Sequence, residues 1–320
     1  MSKNSFQNSF MSLWFNGKKK IRAKVFLSEM DRVIPYARLL NILRDKYNSW
    51  AKTGRKKYDL KLMLKIHFLQ QFYELWDLAM EEAIYDRISF QEFLWIDTLS
   101  SVVPDETTIL NFRHFLEKNE LQDSMFEEIL KLLSEQWLYF QRWTIVDASI
   151  IKASSHTKNK ARGRDPEMSS TKKNNNFYFW MKTHIGVDSD SWIVHSIEHT
   201  TAKKSDISQT KKLLHWKEKA VFWDKAYCTK AEKKKARKEG IFYGMTNKAT
   251  KSKKLSTKQK KRNKQLSSVR SKVEHPFRLL KCQFHHVKAK YRWLKKNGAA
   301  ITMKLWLWNL FLMRKKLLQT

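Results

Sequence analysis

The sequence predicts an α/β protein in which a mixed β-sheet flanked by helices follows a helical N-terminal half. Two observations support this prediction. Apolar residues recur at helical spacing through the first 140 residues, and short β-branched runs such as RWTIVDASII begin only after residue 141. We therefore expect a helical N-terminal domain over residues 1–140 and a sheet-containing domain over residues 141–320.

The N-terminal half is predicted to be helical throughout. The clearest apolar face starts at Leu60 and continues at i+3, i+4, i+7 and i+8, with Lys61 and Lys65 predicted to face away from it. Residues 78–94 continue in the same style as one further helix. Asp105 follows Val103-Pro104 and is a plausible N-cap for the next helix.

The second half alternates strands and helices. Its predicted order is three strands, helix, strand, helix, strand, basic segment and C-terminal helices, which matches a ribonuclease-H-like fold. The predicted strands cover 142–151, 177–187, 192–200, 220–224 and 241–245; the predicted helices cover 206–219 and a Lys-rich stretch through 238; the segment 251–264 is predicted to be basic and mobile.

The charge balance is strongly basic. The 64 Lys and Arg against 31 Asp and Glu leave a formal charge of +33, which favours a polyanionic partner. Nucleic acid is the leading candidate and an anionic membrane surface is the alternative. The longest apolar stretch, 299–313, carries Lys304 and Asn309 and is too short and polar to span a bilayer. Two cysteines, Cys228 and Cys282, imply no disulfide framework, so we expect a cytoplasmic protein.

Two aspartates in the predicted strands are candidates for chemistry. Asp147 lies within the apolar run TIVDA, and Asp224 ends the run AVFWD. Strand interiors disfavour Asp, and an unpaired buried carboxylate is costly. A carboxylate at the carboxyl end of a strand lies where α/β sheets usually bind ligands. The structural alternative is that each one caps the next helix.

A third acid, Glu274, lies on a predicted helix over 268–281. Arg270, Arg278 and Lys281 fall on its helical face at i−4, i+4 and i+7. A solvated salt-bridge ladder is the structural alternative, worth a few tenths of a kcal/mol per pair. Because three basic residues over-neutralise one acid, the pattern favours a phosphate-contacting face around a metal ligand.

These residues carry a family resemblance. The spacing Arg270-x3-Glu274-x6-Lys281 resembles the Y-x2-R-x3-E-x6-K signature of bacterial insertion-sequence DDE transposases, and the sequence is most similar to the family named for insertion sequence five. Matching phrases surround the other two acids and extend into the N-terminal half. They are TIVD at 144–147, WDKAY at 223–227, VEHPFR at 273–278, KTHIGVD at 182–188, VPDETTIL at 103–110 and AMEEAIY at 79–85.

The resemblance implies a catalytic site and its partners. Asp147, Asp224 and Glu274 would be catalytic ligands of two Mg²⁺ ions, for which Mn²⁺ can substitute, with Asp147 bridging both. The implied partner is double-stranded DNA, which comprises the terminal inverted repeats, recognised by the N-terminal half, and a target site. The resemblance also implies that a homodimer binds this DNA in the nucleoid and that the protein has no membrane partner. The expected DNA-binding residues are Arg270, Arg278, Lys281, Lys258, Lys260, Lys261 and Arg262.

The sequence also departs from the family pattern. Ser267 replaces the signature tyrosine, and Trp95, Trp180 and Trp192 occupy places where the family usually has glycine. The chain has only 7 glycines in 320 residues, about 2% against a usual value of about 7%. Two alternatives therefore remain open: a catalytically decayed copy that only binds DNA, and a nuclease that cuts without joining.

Overall fold

The computed structural model describes residues 21–49, 57–98, 100–156, 163–173, 175–215, 217–224, 238–247 and 254–319. The Lys-rich helix predicted through residue 238, the last three residues of the WDKAY phrase and the first part of the basic segment lie outside this described part, apart from Lys238 itself.

The N-terminal half is helical, as predicted. Helix α3 begins after Asp59, whose carboxylate accepts a hydrogen bond from Leu62 N at 2.9 Å. The prediction that Lys65 faces away from the core is wrong, because its side chain is buried. Its Nζ donates to the Phe93 carbonyl at 2.8 Å and pairs with Asp31 at 2.7 Å. The helices are α1 (Arg22–Val33), α2 (Tyr36–Ser49), α3 (Leu60–Tyr73), α4 (Asp77–Asp86), α5 (Ile88–Leu94), α6 (Glu106–Lys118) and α7 (Leu121–Glu135).

The stretch predicted as one helix over 78–94 is two helices, α4 and α5. Arg87 between them is extended, with φ −109° and ψ 103°. The Gln91 amide donates to the carbonyls of Ile84 and Tyr85 at 2.9 Å each, satisfying the end of α4. The predicted N-cap Asp105 is confirmed, since its carboxylate accepts from Thr108 N at 2.7 Å.

The second half contains a six-stranded mixed sheet of ribonuclease-H-like type. Its strand order is β2-β3-β1-β5-β6, and β4 also pairs with β3. The β1–β3, β2–β3 and β3–β4 pairs are antiparallel, whereas β1–β5 and β5–β6 are parallel. The strands are β1 (Trp143–Lys152), β2 (Ser169–Lys173), β3 (Asn176–Asp188), β4 (Val194–Thr201), β5 (Ala220–Trp223) and β6 (Phe242–Gly244).

Two predicted segments differ from the structure. The helix predicted over 206–219 is instead a 3-10 turn (Asp206–Gln209) followed by one helical turn, α8 (Thr210–Leu213). The helix stops there because the chain becomes extended at Leu214 and the Glu218 carboxylate accepts a hydrogen bond from His215 N at 2.8 Å. The basic segment 251–264 is not a mobile loop in its described part. Helix α9 (Thr257–Arg270) starts there, with a capping box between Ser256 and Gln259.

The C-terminal helices carry Glu274 and complete the core. A 3-10 turn (Ser271–Val273) links α9 to α10 (Glu274–Cys282), and α11 (Leu294–Leu317) follows. Helix α11 packs on α1, α3, α7 and β4, so one apolar core extends through both halves. In the described part of the chain, no helix is long and apolar enough to cross a membrane.

The tryptophans singled out by the sequence differ in burial and in backbone conformation. Trp306 and Trp308 are buried in the core. Trp95 and Trp192, which stand at expected glycine positions, have φ of 59° and 65°, in the left-handed region that favours glycine. The third, Trp180, is buried in extended strand β3, stacks on Tyr178 with ring centroids 4.6 Å apart and donates to the Thr171 hydroxyl.

Candidate active site

The register of two parallel strands brings the two aspartates together. Strand β1 pairs with β5 up to Val146 and Trp223, so Asp147 and Asp224 are the next residues on neighbouring strands. Adjacent strands lie about 4.8 Å apart, and the even register gives both side chains the same face of the sheet. Asp147 is partly buried, whereas the Asp224 side chain is 55% exposed at the end of β5.

Glu274 reaches this site from the helices packed on the same sheet. Helix α9 packs on β5, and the 3-10 turn after it packs on β1. Val273 is 1% exposed and anchors the turn in the core, which leaves the following Glu274 exposed as the first residue of α10. Its carboxylate therefore faces solvent.

The pKa of Asp147 responds to both of the other acids. Burial raises the pKa of Asp147, and the negative charges of Asp224 and Glu274 raise it further. The Ala148 N–H, 2.8 Å from Asp147 Oδ1, and the Arg270 guanidinium act in the opposite direction but do not cancel the rise. A group of carboxylates that destabilise one another's charge is stabilised by a bound cation.

Arg270 lies beside Asp224, and Lys281 contacts strand β1 close to Asp147. Arg270 Nη1 lies 3.7 Å from Asp224 Oδ1, and its buried Nε has no hydrogen-bond partner among the described residues. Lys281 Nζ donates to Ser149 Oγ at 2.6 Å. Ser149 lies two positions after Asp147 on the same face of β1, and sequence reasoning missed it because a strand serine carries no distinctive signal. Arg278 is exposed on α10.

The basic residues predicted in the mobile segment lie instead on α9. Lys258, Lys260 and Lys261 are exposed, which leaves them available to an anionic partner. Arg262 is half-buried, and its Nη1 donates to the Met245 carbonyl at 3.1 Å. At 1.5 Å per residue, these four side chains start about 12–18 Å along the helix from Arg270.

The strand histidines make structural hydrogen bonds. His184 bonds Thr200, His195 bonds Thr144 and Ser196, and His199 bonds Thr183 and Thr302, at 2.8 to 3.2 Å.

The residues present suit a metal that prefers oxygen ligands, although the described side chains are not closed around one point. Within the part of the chain that the structure describes, no three His, Cys, Asp or Glu side chains form a ready metal-ligating group. The donor set of three carboxylates nevertheless matches Mg²⁺ chemistry.

Comparison with known protein families decides the family. A model described as Transposase DDE domain matches residues 139–310, more than half of the chain, and a model described as Transposase domain (DUF772) matches residues 15–115. The chain belongs to the DDE transposase family. The DDE match includes all three acids and the whole β-sheet. DDE transposases generally use divalent metals, in agreement with the carboxylate donor set found here.

Proposed function

We propose that this DDE transposase cuts the ends of an insertion sequence of the insertion-sequence-five type and joins them to target DNA. The observation that carries the proposal is the β1–β5 register, which sets Asp147 and Asp224 side by side within electrostatic reach of Glu274 and Arg270. A structural capping role does not account for a strand aspartate, Asp147, whose pKa is raised by burial and by two neighbouring acids.

The three acids, of which Asp147 is the most buried, would hold two Mg²⁺ ions, and Mn²⁺ would be able to substitute. Ions bound there activate the attacking oxygen and stabilise the leaving oxygen of an in-line phosphoryl transfer. Arg270, whose Nη1 lies 3.7 Å from Asp224 Oδ1, would donate to a phosphate oxygen beside that acid. Lys281, held by Ser149 on the same strand as Asp147, supplies a second positive charge.

The N-terminal half and helix α9 would bind different parts of the DNA. The helical N-terminal half would recognise the terminal inverted repeats, and the exposed lysines of α9 would contact backbone phosphate without reading sequence. Arg278, exposed on α10, would add a phosphate contact beside Glu274. Because two ends must be cut and joined together, the working form would be a homodimer on DNA.

The test is a cleavage and joining assay on DNA that carries both borders of the gene, with and without Mg²⁺. We expect metal-dependent strand cleavage at the borders and joined products. Border binding with no cleavage in Mg²⁺ or Mn²⁺ would instead identify a decayed copy, and cleavage without joining would identify a nuclease.

A further inference from the structure

A two-stranded ribbon extends beyond the main sheet. Strand β3 starts at Asn176, but its pairing with β1 begins only at Trp180 and its pairing with β4 only at Met181. The residues before Trp180 pair with β2, from Ser170↔Phe179 to Lys173↔Asn176, and of these only the Phe179 carbonyl has a further described backbone partner, accepting from Ala153 N at 2.9 Å. Among the described residues, no third strand pairs with the outer part of the ribbon, before Phe179, which therefore projects past the end of β1.

The ribbon is basic and aromatic and carries no acid. From Ser169 to Val187 the sequence contains no Asp or Glu, in a chain with 31 of them. Lys172 lies directly opposite Phe177, with its Nζ 5.8 Å from the ring centroid, and Phe177 is 76% exposed. At the base of the ribbon, Lys152 of β1 forms an isolated parallel β-bridge with Lys288 through the backbone, and both residues are exposed. An exposed ring backed by uncompensated lysines suits a polyanion rather than an apolar protein surface.

We propose that this ribbon inserts into a groove of the DNA held by the active site, an inference that rests on the proposed function. A two-stranded β-ribbon fits the major groove, where Lys172 contacts phosphate and Phe177 contacts base edges. Ile185 faces Asp147 across β1 and β3, and Phe177 lies eight residues before it. At about 3.3 Å per strand residue and about 3.4 Å per base pair, the contact lies about 8 base pairs from the cleaved phosphate.

The contact can be mapped by replacing Phe177 with a photo-crosslinking phenylalanine analogue and irradiating the full-length protein on border DNA without metal. We expect crosslinks about 8 base pairs from the cleavage position. Lys172→Gln with Phe177→Ser should weaken border-DNA binding at least ~10-fold and flatten the log-log salt dependence by about 0.9, the value for one neutralised phosphate. An exposed basic–apolar pair elsewhere, Lys212→Gln with Ile207→Ser, serves as the matched control and should change neither.

Three outcomes overturn the ribbon proposal. They are wild-type affinity in the ribbon variant, crosslinks scattered without a preferred position, and crosslinks to a second copy of the chain instead of DNA. If the wild-type protein still cleaves its borders in Mg²⁺, the proposed function stands while the ribbon proposal fails. If the wild-type protein neither binds nor cleaves border DNA, the proposed function itself fails.

A separate observation concerns the tryptophans. Among the described residues, nine non-glycine residues have positive φ, and four of them are tryptophan: Trp95, Trp137, Trp192 and Trp293. Trp95 and Trp137 occupy the C′ position of a complete Schellman motif. In the first, Trp95 N donates to Glu92 O and Ile96 N to Gln91 O; in the second, the same two bonds end helix α7.

The other two positions also require glycine geometry. Trp192 closes the β3–β4 turn, donating to the Asp188 carbonyl at 2.8 Å with φ 65°. Trp293, before α11, has φ 82° and ψ 137°, close to a region that only glycine populates. Three of the four indole rings gain little burial in return, since Trp95, Trp137 and Trp293 are 69%, 82% and 41% exposed, whereas Trp192 is half-buried and stacks on His275 with ring centroids 4.9 Å apart.

We also infer that the cell carrying this gene inserts glycine at residues 95, 137, 192 and 293. The codon UGA, a stop signal in the standard code, is assigned to tryptophan in some bacterial codes and to glycine in others. UGA codons read as glycine at these four positions would explain the left-handed geometry and would raise the glycine count from 7 to 11, which accounts for part of the scarcity of glycine. The decayed-copy alternative then loses its support at Trp95 and Trp192.

Peptide mass spectrometry of the protein from its source cells decides the identity of the four residues. We expect glycine at each position, and tryptophan there would overturn the inference. In recombinant protein, replacing all four tryptophans by glycine should raise the melting temperature, whereas Trp306→Gly, in the core, should lower it. A lower melting temperature for the fourfold variant would equally contradict the inference.

Discussion

Asp147 combines burial with two like-charged neighbours, which is unfavourable for folding and useful for binding a cation. Its raised pKa means that the folded state holds the proton more tightly than the unfolded chain. The resulting destabilisation is absent below the unfolded pKa and grows as the pH rises through and above it. Without a cation, the folded protein is therefore strained at this site at neutral pH.

The first prediction is that Asp147→Asn raises the melting temperature at pH 7 while abolishing cleavage. The amide keeps the shape of the carboxylate and removes the repulsion with Asp224 and Glu274. Thermal melts at pH 7 and pH 4 without metal measure the effect, and the gain should shrink at pH 4, where the wild-type carboxylate takes up its proton. A variant less stable than wild type at pH 7 would show that Asp147 is a structural acid.

Sequence reasoning found the acids but not all of their supports. Asp147 and Asp224 were predictable because a carboxylate within an apolar run must have a partner or a function. Ser149 and the burial of Lys65 were not, because each depends on a residue brought close by tertiary packing. Lys65 meets Phe93 and Asp31 only after α1, α3 and α5 pack together.

Helix α9 shows where pattern reasoning loses its signal at the element scale. Leu266 is its only buried residue, so the helix has no apolar stripe by which it could be recognised. The sequence does carry a capping-box pair, Ser256 and Gln259, at the start of this helix. For α8 the error is the opposite one. Apolar spacing predicts a helix through residue 219, but the helix ends early, where the Glu218 carboxylate accepts a hydrogen bond from His215 N.

The second prediction separates the four basic residues of α9. Changing Lys258, Lys260 and Lys261 to Gln should flatten the salt dependence of DNA binding, by about 0.9 for each phosphate that is no longer neutralised, without changing the melting temperature. Arg262→Gln should instead destabilise the protein by about 1 kcal/mol, because the Met245 carbonyl is then left without its hydrogen-bond donor.

Binding titrations across salt concentrations and thermal melts measure the two effects. The control is Lys315→Gln with Lys316→Gln, two exposed lysines at the end of α11. An unchanged salt slope in the triple lysine variant would mean that α9 does not touch DNA.

At the scale of the whole molecule, the halves predicted as 1–140 and 141–320 share buried polar contacts. Glu74 at the end of α3 pairs with Lys304 of α11 at 2.8 Å and with His286 at 3.0 Å. Burial raises the pKa of Glu74, but Lys304, His286 and Lys290 together outweigh it and hold the pKa well below its usual range. Contacts across more than 200 residues leave no local trace in the sequence.

The third prediction is that Lys304→Met destabilises the protein by about 3–5 kcal/mol, because it leaves the Glu74 carboxylate buried with less compensation. Adding Glu74→Gln should restore part of the stability, since the uncompensated charge is then gone. Denaturant unfolding of the two single variants and the double variant measures the coupling. Additive effects of the two substitutions would show that Glu74 and Lys304 act independently.

The fourth prediction concerns acid stability. Burial lowers the pKa of His67 and His184 to about 4 and that of His195 and His199 to about 3. Because the unfolded chain binds these protons more readily, stability falls as the pH drops below the unfolded value of about 6.5. The decrease is up to about 1.4 kcal/mol per pH unit for each histidine. Melting temperatures at pH 7.5 and pH 5 measure it, and equal values would contradict the burial of these rings as neutral groups.

The most direct test of the central account is metal-dependent strand cleavage of border DNA by single alanine variants of the three acids. Asp147→Ala, Asp224→Ala and Glu274→Ala should each abolish cleavage and joining while DNA binding without metal persists. Asp190→Asn, an exposed acid at the β3–β4 turn, should cleave as wild type does. Near-normal cleavage by any one of the three alanine variants would contradict the assignment of that acid and, with it, the three-carboxylate site.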